Sequence, residues 1–168
     1  MDYFEHFGIP RSFIPNLTRV RKQYLAISRN NHPDLVSDKV DEEKERITAY
    51  NNAAYETLTQ EDKLFHYLLD LHGIKLSDLP LSSEFLMEMM ELNEEIEELV
   101  FDGNETDKAA MHERLLSMKV DLRTQLQDAL TAYELGNITS SIDEVAGYCL
   151  KINYLNRLIS NLKGQIEL

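Results

Sequence analysis

Tryptophan is absent from the 168 residues, cysteine occurs once, and there are only four prolines and six glycines. The single Cys149 excludes an intramolecular disulfide and suits a reducing compartment, so a cytoplasmic protein is expected. Pro10, Pro15 and Pro33 all fall in the first 33 residues, which leaves nearly all of the remaining chain free to run as long helices. No stretch approaches 18 uncharged apolar residues, so no membrane-spanning segment is expected. Met1-Asp2-Tyr3-Phe4-Glu5 has no basic segment followed by an apolar run, which predicts no cleaved signal peptide. A glycine-rich phosphate loop, a cysteine pair for a metal and the Glu-x-x-His pairs of di-iron bundles are all missing. The sequence therefore points to no cofactor, no metal and no catalytic residue, and to a protein that is not an enzyme.

Hydrophobic residues make up 43% and charged residues 28%, enough apolar content for a packed core. The net charge is −13, unevenly spread: residues 1–75 carry −2 and residues 76–168 carry −11. An acidic half of this kind repels nucleic acid and anionic membranes, so neither is expected as a partner. Within the near-neutral half, Leu17 to Arg29 holds Arg19, Arg21, Lys22 and Arg29 and no acid. Two readings are open for this cationic segment, a solvated helix face or a surface for an acidic partner.

The periodicity predicts an all-α protein. A short turn over 2–7 is stopped by Gly8 and Pro10. Asn16 caps a helix to about Asn30, with Leu17, Val20, Tyr24 and Ile27 on its inner face. Asn30-Asn31-His32-Pro33-Asp34 breaks that helix, because Pro33 cannot continue it and biases His32 away from helical angles. Asp41 caps a helix over about 42–58, antiparallel to the first, with Ile47, Ala54, Tyr55 and Leu58 inward. A shorter helix from Gln60 to Leu71 stops at His72-Gly73. Residues 76–83, with Pro80, read as a linker. Beyond it the pattern predicts three helices: Ser83 to Phe101, then about Asp107 to Leu135, then one beginning at the capping-box string Ser141-Ile142-Asp143-Glu144 and ending near Ile166. Short loops between them imply an antiparallel three-helix bundle over 84–168.

Two features of this layout carry the functional reading. His32-Pro33-Asp34 stands at the tip of the helical hairpin, directly after the cationic helix. By itself it is either a helix stop or a pair of polar side chains fixed around a proline. The second feature is the helix beginning at Ser83. Phe85, Met89, Leu92, Ile96 and Leu99 form one seam, whereas Leu86, Met87 and Met90 lie roughly 100–200° away on the circumference. Glu91, Glu94 and Glu98 share that outer side. Either the outer apolar set packs against another part of the chain, or it is a methionine-rich, acid-rimmed surface for a partner. The glutamate run reads as a solvated face, since no turn gathers its oxygens around a cation.

The N-terminal stretch resembles a J domain, the module of DnaJ-type co-chaperones. His32-Pro33-Asp34 matches its signature loop, Tyr3-Phe4-Glu5-His6-Phe7-Gly8-Ile9 its opening, and Asn52-Ala53-Ala54-Tyr55-Glu56-Thr57-Leu58 its third helix. Asn31 stands where the family usually has an aromatic residue, and Leu35 where it usually has a basic one. The resemblance implies that the basic second helix and the tripeptide dock onto a heat-shock ATPase of the HscA/DnaK type and stimulate it. His32, Pro33, Asp34, Arg19, Arg21, Lys22 and Arg29 are the residues this implicates.

The rest of the chain is similar to HscB, the J-type co-chaperone of iron–sulfur cluster assembly. The strings that carry the similarity are Lys63-Leu64-Phe65-His66-Tyr67-Leu68-Leu69-Asp70-Leu71-His72-Gly73, then Glu84-Phe85-Leu86-Met87-Glu88, and Lys151-Ile152-Asn153-Tyr154-Leu155-Asn156-Arg157-Leu158. Family members bind an IscU-type scaffold protein on the acidic, apolar face of the C-terminal bundle. By position the resemblance places Leu86, Met87, Met90, Glu91, Glu94, Glu98 and Tyr154 on that face. The expectation is thus a J domain over 1–75, an antiparallel hairpin with short flanking helices, joined to a three-helix bundle that binds the scaffold. The chain would present the scaffold to the ATPase and promote cluster transfer. Two alternatives stay open at this stage, a general J-domain co-chaperone with another client and a helical interaction protein that stimulates no ATPase.

Overall fold

A computed structural model describes residues 1–31 and 42–163. His32, Pro33, Asp34 and Asp41 lie outside the described residues. Eight α-helices are described: α1 Tyr3–His6, α2 Leu17–Asn30, α3 Glu42–Thr59, α4 Glu61–Leu71, α5 Ser83–Asp102, α6 Glu105–Gln125, α7 Gln127–Glu134 and α8 Ile138–Lys163. No strand occurs among the described residues. The chain divides into two compact units, Met1–Gly73 and Ile74–Leu168.

In the first unit α2 and α3 pack as a hairpin, with α1 and α4 against α3. Its core is aromatic and aliphatic: Phe4, Phe7, Phe13, Val20, Ala54, Leu58, Phe65, Leu68 and Leu69 are buried, and each large side chain among them stabilises the unit by about 1.5–3 kcal/mol. Phe13 meets the ring of Phe65 edge-on at 5.4 Å, and Tyr24 stacks on Tyr55 at 4.3 Å. Asn16 caps α2 as expected, its side chain accepting from the Arg19 N–H at 3.0 Å. Leu17 departs from the expected inner stripe. It lies in the first turn, is 54% exposed, and edges a shallow groove with Phe13, Leu58 and Leu64.

Two polar residues tie this unit together across long sequence distances. Asp2 caps α1: its Oδ1 accepts from the Glu5 N–H at 2.8 Å while Glu5 Oε2 accepts from the Asp2 N–H at 3.0 Å. Arg11 then donates to Asp2 Oδ2 through Nε at 2.9 Å and Nη2 at 2.7 Å. Burial pushes the Asp2 carboxyl up, but the Glu5 N–H, the Arg11 guanidinium and the Phe4 N–H together outweigh it and hold the group below its ordinary value. Asn51, buried in α3, donates to the Tyr24 carbonyl at 3.1 Å and to Ser28 Oγ at 3.0 Å. Its Oδ1 lies 3.2 Å from His6 Nε2, so that nitrogen carries the proton and one side chain links α1, α2 and α3.

In the second unit the N-terminal half of the bundle core joins three helices. Phe85, Met89, Leu92 and Ile96 of α5 interlock with Met111 and Leu115 of α6 and with Leu155, Leu158 and Leu162 of α8. The segment between Gly73 and α5 is not a bare tether. Leu76–Asp78 forms a 3-10 turn against α8, and Leu81 packs on the bundle core.

The expected helix from Asp107 to Leu135 comprises two segments that run on through Leu126. Leu126 keeps helical angles (φ −73, ψ −18), donates to the Leu122 carbonyl at 3.2 Å and accepts from the Leu130 N–H at 3.1 Å. The two segments differ in their neighbours: α6 packs against both α5 and α8, whereas α7 packs on α8. The last helix begins at Ile138, not at the Ser141 capping box. Gly136, at φ +94, reverses the chain in a conformation open to glycine. The Asn137 carbonyl then accepts from the Ser141 N–H at 3.3 Å, which puts Ser141 inside the first turn and buried.

Candidate functional site

The cationic helix is α2, and Arg19, Arg21, Lys22 and Arg29 are all exposed on it. Its inner face is fixed by Val20, Tyr24 and Ile27, so at 100° per residue these four cations fall on the remaining circumference. Arg19 also serves the fold, donating from Nη2 to the Gly8 carbonyl at 2.7 Å. Arg21, Lys22 and Arg29 make no ion pair with another described residue. Leu25, 41% exposed, sits between Arg21 and Arg29 one turn from each. Sequence reasoning passed over it, although its offset from the Val20-Tyr24-Ile27 stripe marks it as outward. The helix ends with Asn31, whose N–H and Nδ2 both donate to the Ile27 carbonyl, at 3.2 and 2.8 Å. The tripeptide His32-Pro33-Asp34 follows at once in sequence and lies outside the described residues.

The second candidate surface is the outer face of α5. Ser82 caps the helix, its Oγ accepting from the Phe85 N–H at 3.3 Å. With Phe85, Met89, Leu92 and Ile96 committed to the core, Leu86, Met87 and Met90 are turned out, at 37%, 63% and 59% exposure. Glu91, Glu94 and Glu98 are exposed along the same helix and make no ion pair with another described residue. Glu95 is paired with Arg114 Nη1 at 2.7 Å, and Glu97 accepts from Asn93 Nδ2 at 2.7 Å.

Tyr154 differs from the other expected site residues. It is half-buried on α8, packed against the bundle core and edge-on to Phe85 at 6.2 Å. It thus reaches α5 through the residue that precedes Leu86. Two cations border it, Arg157 over its own ring at 5.7 Å and Lys151 over the Phe85 ring at 5.6 Å. Sequence reasoning did not single out these cations, nor Phe101 at the far end of α5, which is 93% exposed.

Among the described residues no three His, Cys, Asp or Glu side chains are placed to hold a metal ion. Cys149 is buried on the inner face of α8. No described helix is long and apolar enough to cross a membrane. The two candidate surfaces, one cationic and one acidic and apolar, are carried on separate units.

A helical hairpin unit joined to an acidic helical bundle is the architecture that the resemblance to J-type co-chaperones implies. Comparison with known proteins narrows that class. Residues 81–163 match the family model of the HSCB C-terminal oligomerisation domain. The co-chaperone protein HscB homolog of Vibrio cholerae is 32% identical, with 99% of this chain covering 95% of that protein. The human iron–sulfur cluster co-chaperone protein HscB is 28% identical, with 96% of this chain covering 67% of it. Among solved structures, chaperone HscB from Vibrio cholerae superposes with a TM-score of 0.67 at 27% identity over 99% of this chain and 98% of that one. Human co-chaperone protein HscB gives 0.73 at 26% identity over 100% and 84%. The chain belongs to the HscB family of iron–sulfur cluster co-chaperones.

Proposed function

We propose that this chain binds an IscU-type scaffold protein on α5 and stimulates the ATPase of an HscA/DnaK-type chaperone through α2 and the tripeptide that follows it. The observation that carries the reading is the outer face of α5. Three large apolar side chains stand in water beside carboxylates that have no cationic partner among the described residues, although the same helix buries four others completely enough to form a core. Monomeric proteins keep such patches small, and those rimmed by charge are commonly contact surfaces. Methionine suits the task because its unbranched, polarisable side chain adapts to a partner's shape. Leu86, Met87 and Met90 supply burial, Glu91, Glu94 and Glu98 supply charge, and Tyr154 extends the apolar area at the α8 side.

The J domain over 1–75 and the bundle over 84–168 divide the work, with 76–83 between them. The exposed Arg21, Lys22 and Arg29 speed encounter with an acidic surface on the ATPase. His32 and Asp34 make the directional contacts, and Pro33 lowers the ordering cost of the loop. Hydrolysis itself belongs to the partner, so the chain needs no catalytic residue of its own. Its contribution is to hold the scaffold, whose iron–sulfur cluster is the cargo, where the ATPase can close on it. The reading places the chain in the cytoplasm.

Two titrations test this. Calorimetry of the full chain against the purified scaffold should give a saturable one-to-one complex. Asp34→Asn should leave that complex intact while removing stimulation of the ATPase. A chain that stimulates the ATPase but binds no scaffold would point to a co-chaperone for another client.

A further inference from the structure

The acidic face of α5 does not end where the methionines end. Phe101, in the last turn, is 93% exposed. At about 100° per residue it lies within roughly 20° of Met90 on the circumference, and about 16 Å further along the axis. It therefore continues the outer line of Met87 and Met90 beyond the carboxylates of Glu94 and Glu98.

The end of the helix holds it there. Leu99 and Val100 already pack on the bundle core. Gly103 closes the helix with its N–H donating to the Leu99 carbonyl at 2.8 Å. A Cβ on Gly103 would stand 2.3 Å from that oxygen, so the turn is too tight for another residue. With Leu99 and Val100 on the core side, Phe101 is left on the outer one.

A notch of about 360 Å³ opens on the flank of the same turn, lined by Glu95, Glu98, Leu99, Asp102, Gly103 and Asp107. Two of its four carboxylates are engaged: Glu95 by Arg114, and Asp107 by Asn104 Nδ2 at 2.9 Å. Glu98 and Asp102 make no ion pair with another described residue. Glu98 stands one turn before Phe101 and about 60° round the helix from it, on the wall of the notch nearest the ring, whereas Asp102 projects about 100° away. An aromatic ring open to water one turn from an unneutralised carboxylate, with a second acid on the far wall of the notch, can receive an organic cation, which gains from the ring quadrupole and from the charges together.

We propose that Phe101 and the acidic notch beside it are a second anchor on the client face, taking an arginine or lysine side chain of the bound scaffold. This rests on the client-binding role proposed for α5, and it adds a chemical requirement to it: the client carries a cation about 16 Å from the apolar group that covers Met90. The unit's net negative charge opposes a second copy of this chain on the same face, and because residues 81–163 match a domain described as one of oligomerisation, a dimer is an outcome the variants must distinguish.

The test is calorimetric titration of the full chain with the purified, cluster-free scaffold, using Phe101→Ala, Phe101→Leu and Phe101→Trp. The Ala and Leu variants should each bind about fivefold more weakly, and the Trp variant within about twofold of the parent. Phe101→Ala binding like the parent, or Phe101→Leu doing so, overturns the anchor. The pair Met87→Ala and Met90→Ala separates the levels. If that pair weakens binding and Phe101→Ala does not, the anchor falls and the client face stands. If the parent chain binds no scaffold, both fall. A concentration-dependent dimer that Phe101→Ala dissolves would assign the residue to self-association instead.

Discussion

Replacing Met87 and Met90 together by alanine separates recognition from folding. Both side chains are about 60% exposed in the free chain, at 63% and 59%. Each therefore offers about 100 Å² of apolar surface to a partner, of which truncation at Cβ removes most. At about 25 cal/mol per Å², complete coverage makes each truncation worth about 2 kcal/mol, and incomplete coverage of the pair brings the total to about 2–4 kcal/mol. That is a loss of about 30-fold to 1,000-fold in scaffold affinity. Stability of the free chain should change by less than about 0.5 kcal/mol, since neither side chain contributes to the core. Met89, between them in sequence and fully buried, is the internal contrast: Met89→Ala should destabilise the bundle by about 2–5 kcal/mol. Calorimetry for affinity and thermal unfolding for stability read the two effects separately. A double variant with the parent's affinity and an unchanged unfolding midpoint would refute the assignment of these side chains to a client.

Three further outcomes follow from the same geometry. Asn51→Ala removes the side chain that links α1, α2 and α3, and should destabilise the first unit by about 1–3 kcal/mol, measured by denaturant unfolding. Asp2 has its carboxyl held below the ordinary value, so its contribution to stability is full above the unfolded-state value near 3.8 and is lost as pH falls through the lower folded value. Acid unfolding of Asp2→Asn, compared with the parent, should show that part of the acid sensitivity gone. Raising salt from about 0.01 to 0.15 M shortens the screening length from about 30 to 8 Å, and should slow association with the ATPase if Arg21, Lys22 and Arg29 steer it. Stopped-flow rates that ignore salt would remove steering from the account.

Local signals were the legible ones. Asn16 before a run of helix formers marks the start of α2 because capping is decided within three residues. The seam of α5 and its outward methionines follow from the 3.6-residue period alone. Failures came where residues outside the local string decide. Ser141-Ile142-Asp143-Glu144 has the local form of a helix start, but the positive φ of Gly136 and the acceptance by Asn137 begin the helix three residues sooner. The joints at Asp2 and Asn51 depend on Arg11 and His6, 9 and 45 residues away, and a sequence read by periodicity has no means of pairing them.

Two surfaces on one chain are proposed to bring a client and an ATPase together. This is tested most directly by the steady-state ATP turnover of the chaperone with this chain and scaffold, added singly and together. A chain that tethers the scaffold near the ATPase raises its effective concentration there, so the two together should stimulate turnover well beyond the sum of their separate effects. Turnover with both that equals the sum would contradict the claim.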